Sequence, residues 1–239
     1  MVGGGEEGLN DMMKKAILCS NICGSDMYIY PLSVISQNLA QTMLPYEECN
    51  KGNKQRYNQY RQCHSYLMIG LNHDAVSGWL WLASLFYRYK QYRECIHVIE
   101  YCLTKCTPDK FLLTNKPDVE DQSRFERFMH ILGRGNFLST CKQCLIDDIW
   151  FWNPSHTSLD EIRCVLWVAE MTDIPSVVFA HLLKFLCFCH LGNQRGKQEA
   201  FRDLQLTIIE RYFISQNQDI IENANLCFQI AQEMMIQNS

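Results

Sequence analysis

Apolar residues recur along most of the chain at three- and four-residue spacing, the period of an amphipathic helix. Trp79, Leu82, Ala83 and Phe86 fall at i, i+3, i+4 and i+7. After a polar turn at Lys90-Gln91 the stripe resumes with Tyr92, Cys95, Ile96, Ile99, Cys102 and Leu103. Asp74 is placed to cap the first of these helices. Upstream, the pattern predicts helices over Asn10 to Cys19, Leu32 to Met43 (stopped by Pro45) and Lys54 to Leu71. The third carries Tyr57, Tyr60, His64, Leu67 and Leu71 on one face. Thr107 to Asp118, with Pro108 and Pro117, breaks the periodicity. Beyond it, helices are predicted over Val119 to Leu132, Phe137 to Trp152, and Thr157 or Ser158 to Glu170, where Glu161 completes a capping box with Ser158. Pro175 opens a helix to Leu191, Gly192-Asn193 stops it, and helices follow over Gln194 to Tyr212 and Asp219 to Met235. No alternating strand series is present in the pattern.

About ten helices joined mostly by short turns predict an all-α fold, an array of antiparallel helical hairpins. Residues 1–9, rich in glycine, are expected to fray. Residues 10–110 form a first helical region, and 119–239 a second set of hairpins, separate from the first or continuous with it. Val76 to Asp109 fits the 34-residue tetratricopeptide (TPR) register: Trp79, Leu82, Ala83 and Phe86 take the large and small positions of its first helix. Tyr92, Cys95, Ile99 and Cys102 take those of its second, and Pro108 lies one place past the usual terminal Pro. The hairpin from Pro175 to Tyr212 has suitable lengths and a poorer match. The expected architecture is therefore a TPR-like right-handed α-solenoid, partly degenerate. In the repeat register, Ser77, Leu80, Ser84, Tyr87 and Arg88 line a concave groove suited to a protein or peptide partner. The competing reading packs Leu80 and Tyr87 on the preceding helix.

Composition narrows the setting. The chain of 239 residues is 47% hydrophobic and 20% charged, with a formal net charge of −4, so nothing global draws it to nucleic acid or anionic membrane. Thirteen cysteines stand without a secretory leader, since Glu6, Glu7 and Asp11 occupy the start. Reduced thiols and a cytoplasmic location are the expectation. The longest apolar run, Val177 to Leu191, is too short for a bilayer and is interrupted by His181, Lys184 and His190, so no membrane partner is expected.

Candidate chemistry is sparse. Cys141 and Cys144 form a CxxC, and a zinc site would need two further ligands, for which Cys187, Cys189 and His190 are available. Core packing of these thiols is the favoured reading, because free cysteine is among the most buried residue types. The chain carries no GxSxG, P-loop, GxGxxG or HExxH pattern, so no catalytic residue, cofactor or resident metal is expected. Asp147-Asp148 and Asp160-Glu161 are sequence neighbours, which a helix would point apart. The stretch Lys51 to Arg61 mixes cations with Tyr57 and Tyr60. Lys54, Arg56 and Arg61 support an alternative in which this face meets nucleic acid phosphates.

Three segments together, His73 to Phe111, Ile174 to Leu191 and Gln198 to Ile209, resemble the C-terminal TPR-like helical region of mollusc-type Mab-21-domain proteins. In that family the region follows a nucleotidyltransferase core related to cyclic GMP–AMP synthase-like receptors. Gly24-Ser25 is present, but no downstream acid-x-acid pair follows it, and Glu47-Glu48 are adjacent. The resemblance implies a non-catalytic scaffold or adaptor in innate-immune-type signalling. Its alternative is a helical regulatory part of a nucleotide or nucleic-acid sensor.

Overall fold

In the computed structural model, residues 22–43, 52–113, 121–151, 159, 161–162 and 173–237 are described. Four helices come first: α1 (Ile22–Met43), α2 (Asn53–Gly70), α3 (Ser77–Arg88) and α4 (Tyr92–Lys105). Next are β1 (Phe111–Leu113), α5 (Asp121–Leu132), α6 (Phe137–Cys144), β2 (Leu145–Asp147), β3 (Ile149–Trp150) and β4 (Asp173–Ile174). Three helices close the chain: α7 (Ser176–His190), α8 (Gln194–Ile209) and α9 (Gln218–Gln237). The protein is mostly helical, as the periodicity predicts.

Each connection follows from local chemistry. The Asp74 carboxylate accepts the Ser77 amide at 2.9 and 3.1 Å, satisfying one of the orphan donors at the start of α3. Lys90 takes φ 60° in the turn to α4, and Gly192 takes φ 65° in the turn to α8, where glycine alone adopts that conformation without strain. Asn193 then caps α8 by accepting the Gly196 amide at 3.0 Å. The predicted helix from Asn10 to Cys19 and most of that from Thr157 to Glu170 lie outside the described residues.

Two predicted spans differ from the structure. The helix expected from Leu32 begins at Ile22 and runs through Pro31, which forfeits one backbone hydrogen bond without ending it. The helix expected over Phe137 to Trp152 stops at Cys144. Beyond it the backbone finds partners elsewhere: β2 pairs in parallel with β1, Phe111 opposite Leu145 and Leu113 opposite Asp147. The Leu145 carbonyl also accepts the Ala75 amide at 3.0 Å. β3 pairs antiparallel with β4, Ile149 opposite Ile174. Ladder and long-range backbone bonds outcompete helical propensity along Leu145 to Trp150.

The core centres on α7, which packs against α3, α4, α8 and α9. Val177 to Ala180, Leu182, Leu183 and Phe185 to Cys187 are all buried, so this helix is apolar nearly all round. One apolar cluster joins residues from Ala40 on α1 to Ala231 on α9, tying the early and late hairpins into a shared interior. At Gly78 a Cβ would sit 2.5 Å from the Gly70 carbonyl, so the missing side chain lets α3 start hard against the end of α2.

Candidate functional site

The groove expected along α3 is filled by the chain itself. Leu80 and Ser84 are fully buried, Ser77 is 2% exposed and Tyr87 6%. The Asp74–Ser77 turn meets β2, where Asp74 accepts the Asp147 amide at 3.1 Å. Trp81 packs edge-to-face on Phe151 at 5.2 Å. At the other end, the Tyr87 hydroxyl donates to Glu161 at 2.6 Å, and His190 Nε2 lies 2.8 Å from the same hydroxyl. Leu159 and Ile162, flanking Glu161, are buried in the main core. Of the five predicted groove residues, only Arg88 retains partial exposure. The correction has a simple physical cause. An apolar concave face of a single hairpin is costly to leave wet, and the extended segment after α6 lies close enough to cover it.

The CxxC divides its thiols between burial and partial exposure. Cys141 is fully buried against Phe111 and Leu145, while Cys144 is half-buried. Cys187 belongs to the separate central cluster, and His190 stacks on Tyr92 at 4.7 Å. Among the described residues, no group of three or more His, Cys, Asp or Glu side chains is arranged to hold a metal ion.

What the structure does bring together is a basic, tyrosine-rich end. α2 carries Lys54, Arg56 and Arg61, all exposed, and no acidic residue. Its neighbour across the α2–α3 contact is the C-terminus of α3. Tyr60 of α2 meets Tyr89 edge-to-face at 4.7 Å and stacks on His64 at 5.9 Å. The Arg61 guanidinium lies 5.8 Å from the Tyr57 ring, itself 60% exposed. Arg56 and Arg88 both act electrostatically on the Tyr89 phenol, pulling down a pKa that burial raises overall. Arg56 from α2 and Arg88 from α3 therefore converge at one end. Exposed Lys90 and Arg93 follow directly in the chain.

Charge is segregated to match. Residues 52–93 hold six of the 22 basic residues and one of the 26 acidic ones, and that one, Asp74, is buried. The rest of the chain carries sixteen basic against twenty-five acidic residues. By sequence alone, Lys54, Arg56 and Arg61 belong to one candidate surface and Arg88 to another. The α2–α3 packing brings Arg56 and Arg88 together beside Tyr89, while Lys54 and Arg61 stand elsewhere on the exposed side of α2. The missed signal was the forty-residue span without an exposed acid.

No family model, curated protein or solved structure matches this chain. Functional inference rests on the residues themselves.

Proposed function

We propose that the chain is a non-catalytic interaction module, a scaffold or adaptor, that holds an acidic segment of a protein partner on its basic, tyrosine-rich end. The observation that carries this reading is the set of exposed cations on α2, with Arg56 meeting Arg88 of α3 beside Tyr89 and Arg61 lying over Tyr57. Cations on one face steer an acidic partner by long-range attraction, and the exposed Tyr57 ring adds an apolar contact of low conformational cost. The hairpin α3–α4 supports the TPR-like part of the proposal. Its repeat positions Ala83, Cys95, Ile99 and Cys102 are fully buried, and Leu82 is 4% exposed, as the register requires. On the Mab-21 resemblance, the module belongs to innate-immune-type signalling in the cytoplasm.

A labelled glutamate-rich peptide tests the surface. The wild-type protein should bind it with an affinity that falls steeply with salt, and Lys54→Glu/Arg56→Glu/Arg61→Glu should lose binding by tenfold or more. Circular dichroism should be unchanged, since all three side chains are exposed. Equal binding by the triple variant would overturn the assignment. One feature favours a second reading: Tyr57 beside Arg61 is also a platform on which a nucleic-acid base could stack. Salt-sensitive mobility shifts with a single-stranded oligonucleotide, and none with the peptide, would select the nucleic-acid alternative.

A further inference from the structure

Four aspartates meet where the early hairpins, the short strands and α7 come together. Asp74 stands ahead of α3, Asp147 ends β2, Asp148 joins β2 to β3, and Asp173 opens β4. Backbone donors thread through the group. The Asp147 amide donates to Asp74 Oδ2 at 3.1 Å, and the Asp148 amide to Asp147 Oδ1 at 2.9 Å. The Ser176 hydroxyl at the start of α7 donates to the Asp147 carbonyl. Asn223 of α9 donates to the Asp173 carbonyl at 2.7 Å, anchoring the last helix to the same place.

Asp148 is the odd member. It is 5% exposed, and its Oδ1 has no hydrogen-bond partner. Nor does it have a cationic partner among the described residues. A buried carboxylate oxygen without a donor is costly, whereas a protonated carboxyl at that position removes the charge. The neighbouring groups push the same way. Burial, and then the Asp173 carboxylate, raise Asp148 to about 7, against a favourable bond from the Ser176 amide. Asp147 is also raised, by burial and by Asp74, Asp148 and Asp173. From α1 the facing titratable group is Tyr30, itself pushed up to about 12 by burial and Asp147. From the α2–α3 turn it is His73, 3.6 Å from Asp74 Oδ1 and hydrogen-bonded through Nε2 to Ser77 at 2.9 Å. α7 and α9 contribute the neutral Ser176 and Asn223.

We propose that this seam is a proton-controlled latch: the Asp148 carboxyl holds its proton while β3 is paired with β4 and α7 is docked, and loss of that proton loosens the seam. The device responds in the neutral range, tightening on acidification. The proton exchanges with water whenever the seam opens.

Hydrogen exchange on the whole chain reads the latch directly. After correction for intrinsic rates, protection at the Ile149 and Ile174 amides should fall by at least tenfold per pH unit between pH 5 and 7, then lessen its slope. Asp148→Asn removes one titrating proton, so its profile should be shallower by about tenfold per unit. Parallel profiles for wild type and variant would overturn the proposal. Asp173→Asn provides an independent arm, because removing the facing charge should move that break in slope to lower pH. An unchanged break would also overturn it. Infrared difference spectra of the wild-type protein should show a carboxylic-acid carbonyl band near neutral pH, and its absence would sink the idea without any variant.

Discussion

The basic end and the aspartate seam each gather charges of one sign, yet their physics is opposite. Lys54, Arg56 and Arg61 stand in water, where like charges several ångströms apart repel by roughly 1 kcal/mol or less and are screened by salt. Such a cluster costs the fold little and is free to act on something outside it. Asp147 and Asp148 lie inside, where each ionised carboxylate loses hydration and feels its neighbours through a poorer screen. There the cluster is paid for by the fold itself, unless protons neutralise it. Exposed like charge is therefore available for recognition, and buried like charge makes stability depend on pH.

The contrast can be broken from its strongest side first. Asp148 is held near 7 when folded and reverts to an ordinary carboxyl near 3.8 when unfolded. The folded state then binds the extra proton, so this group's contribution is full below about pH 4 and is lost as pH rises toward about 7. The loss amounts to about 4 kcal/mol at most, and urea melts from pH 5 to 8 should show the decline. Asp148→Asn should make the decline shallower and raise stability at pH 8. Next, Asp74→Ala removes a helix cap and orphans the buried Ser77 and Asp147 amides, at a cost of about 3 kcal/mol. Asp74→Asn, which keeps an acceptor, should cost clearly less in the same melts. Tyr87→Phe deletes the hydroxyl bonded to Glu161 and should cost about 1.5 kcal/mol. At the basic end, Lys54→Glu/Arg56→Glu/Arg61→Glu should change stability by less than about 1 kcal/mol while abolishing peptide capture. A large stability loss there would erase the distinction between the two clusters.

Much of the helical framework was legible in the sequence, because three- and four-residue spacing and turn chemistry are local properties. Asp74, Asn193 and Gly192 act where their residue types predict. The TPR register likewise picked out Ala83, Cys95, Ile99 and Cys102 as interior positions. What escaped was everything decided by partners distant in the chain. Leu145 to Trp150 has enough apolar character to continue a helix, and only Ala75 and β1 explain why it does not. For Leu80 and Tyr87 the sequence leaves groove lining and packing on the preceding helix as competitors, since a single hairpin cannot reveal that Phe151 meets Trp81 and Glu161 meets Tyr87. Asp147 and Asp148 read as neighbours that a helix would point apart, for the same reason. Arg56 and Arg88 are each legible as cations, but their meeting depends on Tyr60 reaching Tyr89 across two helices.

The hydrogen bonds that close over α3 also bear on the order in which the molecule assembles. Gln41 to Trp150, Asp74 to Asp147 and Tyr87 to Glu161 join residues 109, 73 and 74 positions apart. The α3–α4 and α7–α8 hairpins, by contrast, close over turns of a few residues. Long loops lose more chain entropy before any contact rewards them, so the hairpins should form first and the covering segment last. During refolding, helical ellipticity should return before Trp81 acquires its buried fluorescence. In that interval Trp81 would stand uncovered on α3, which makes the late-arriving Phe151 the molecule's own guard against aggregation.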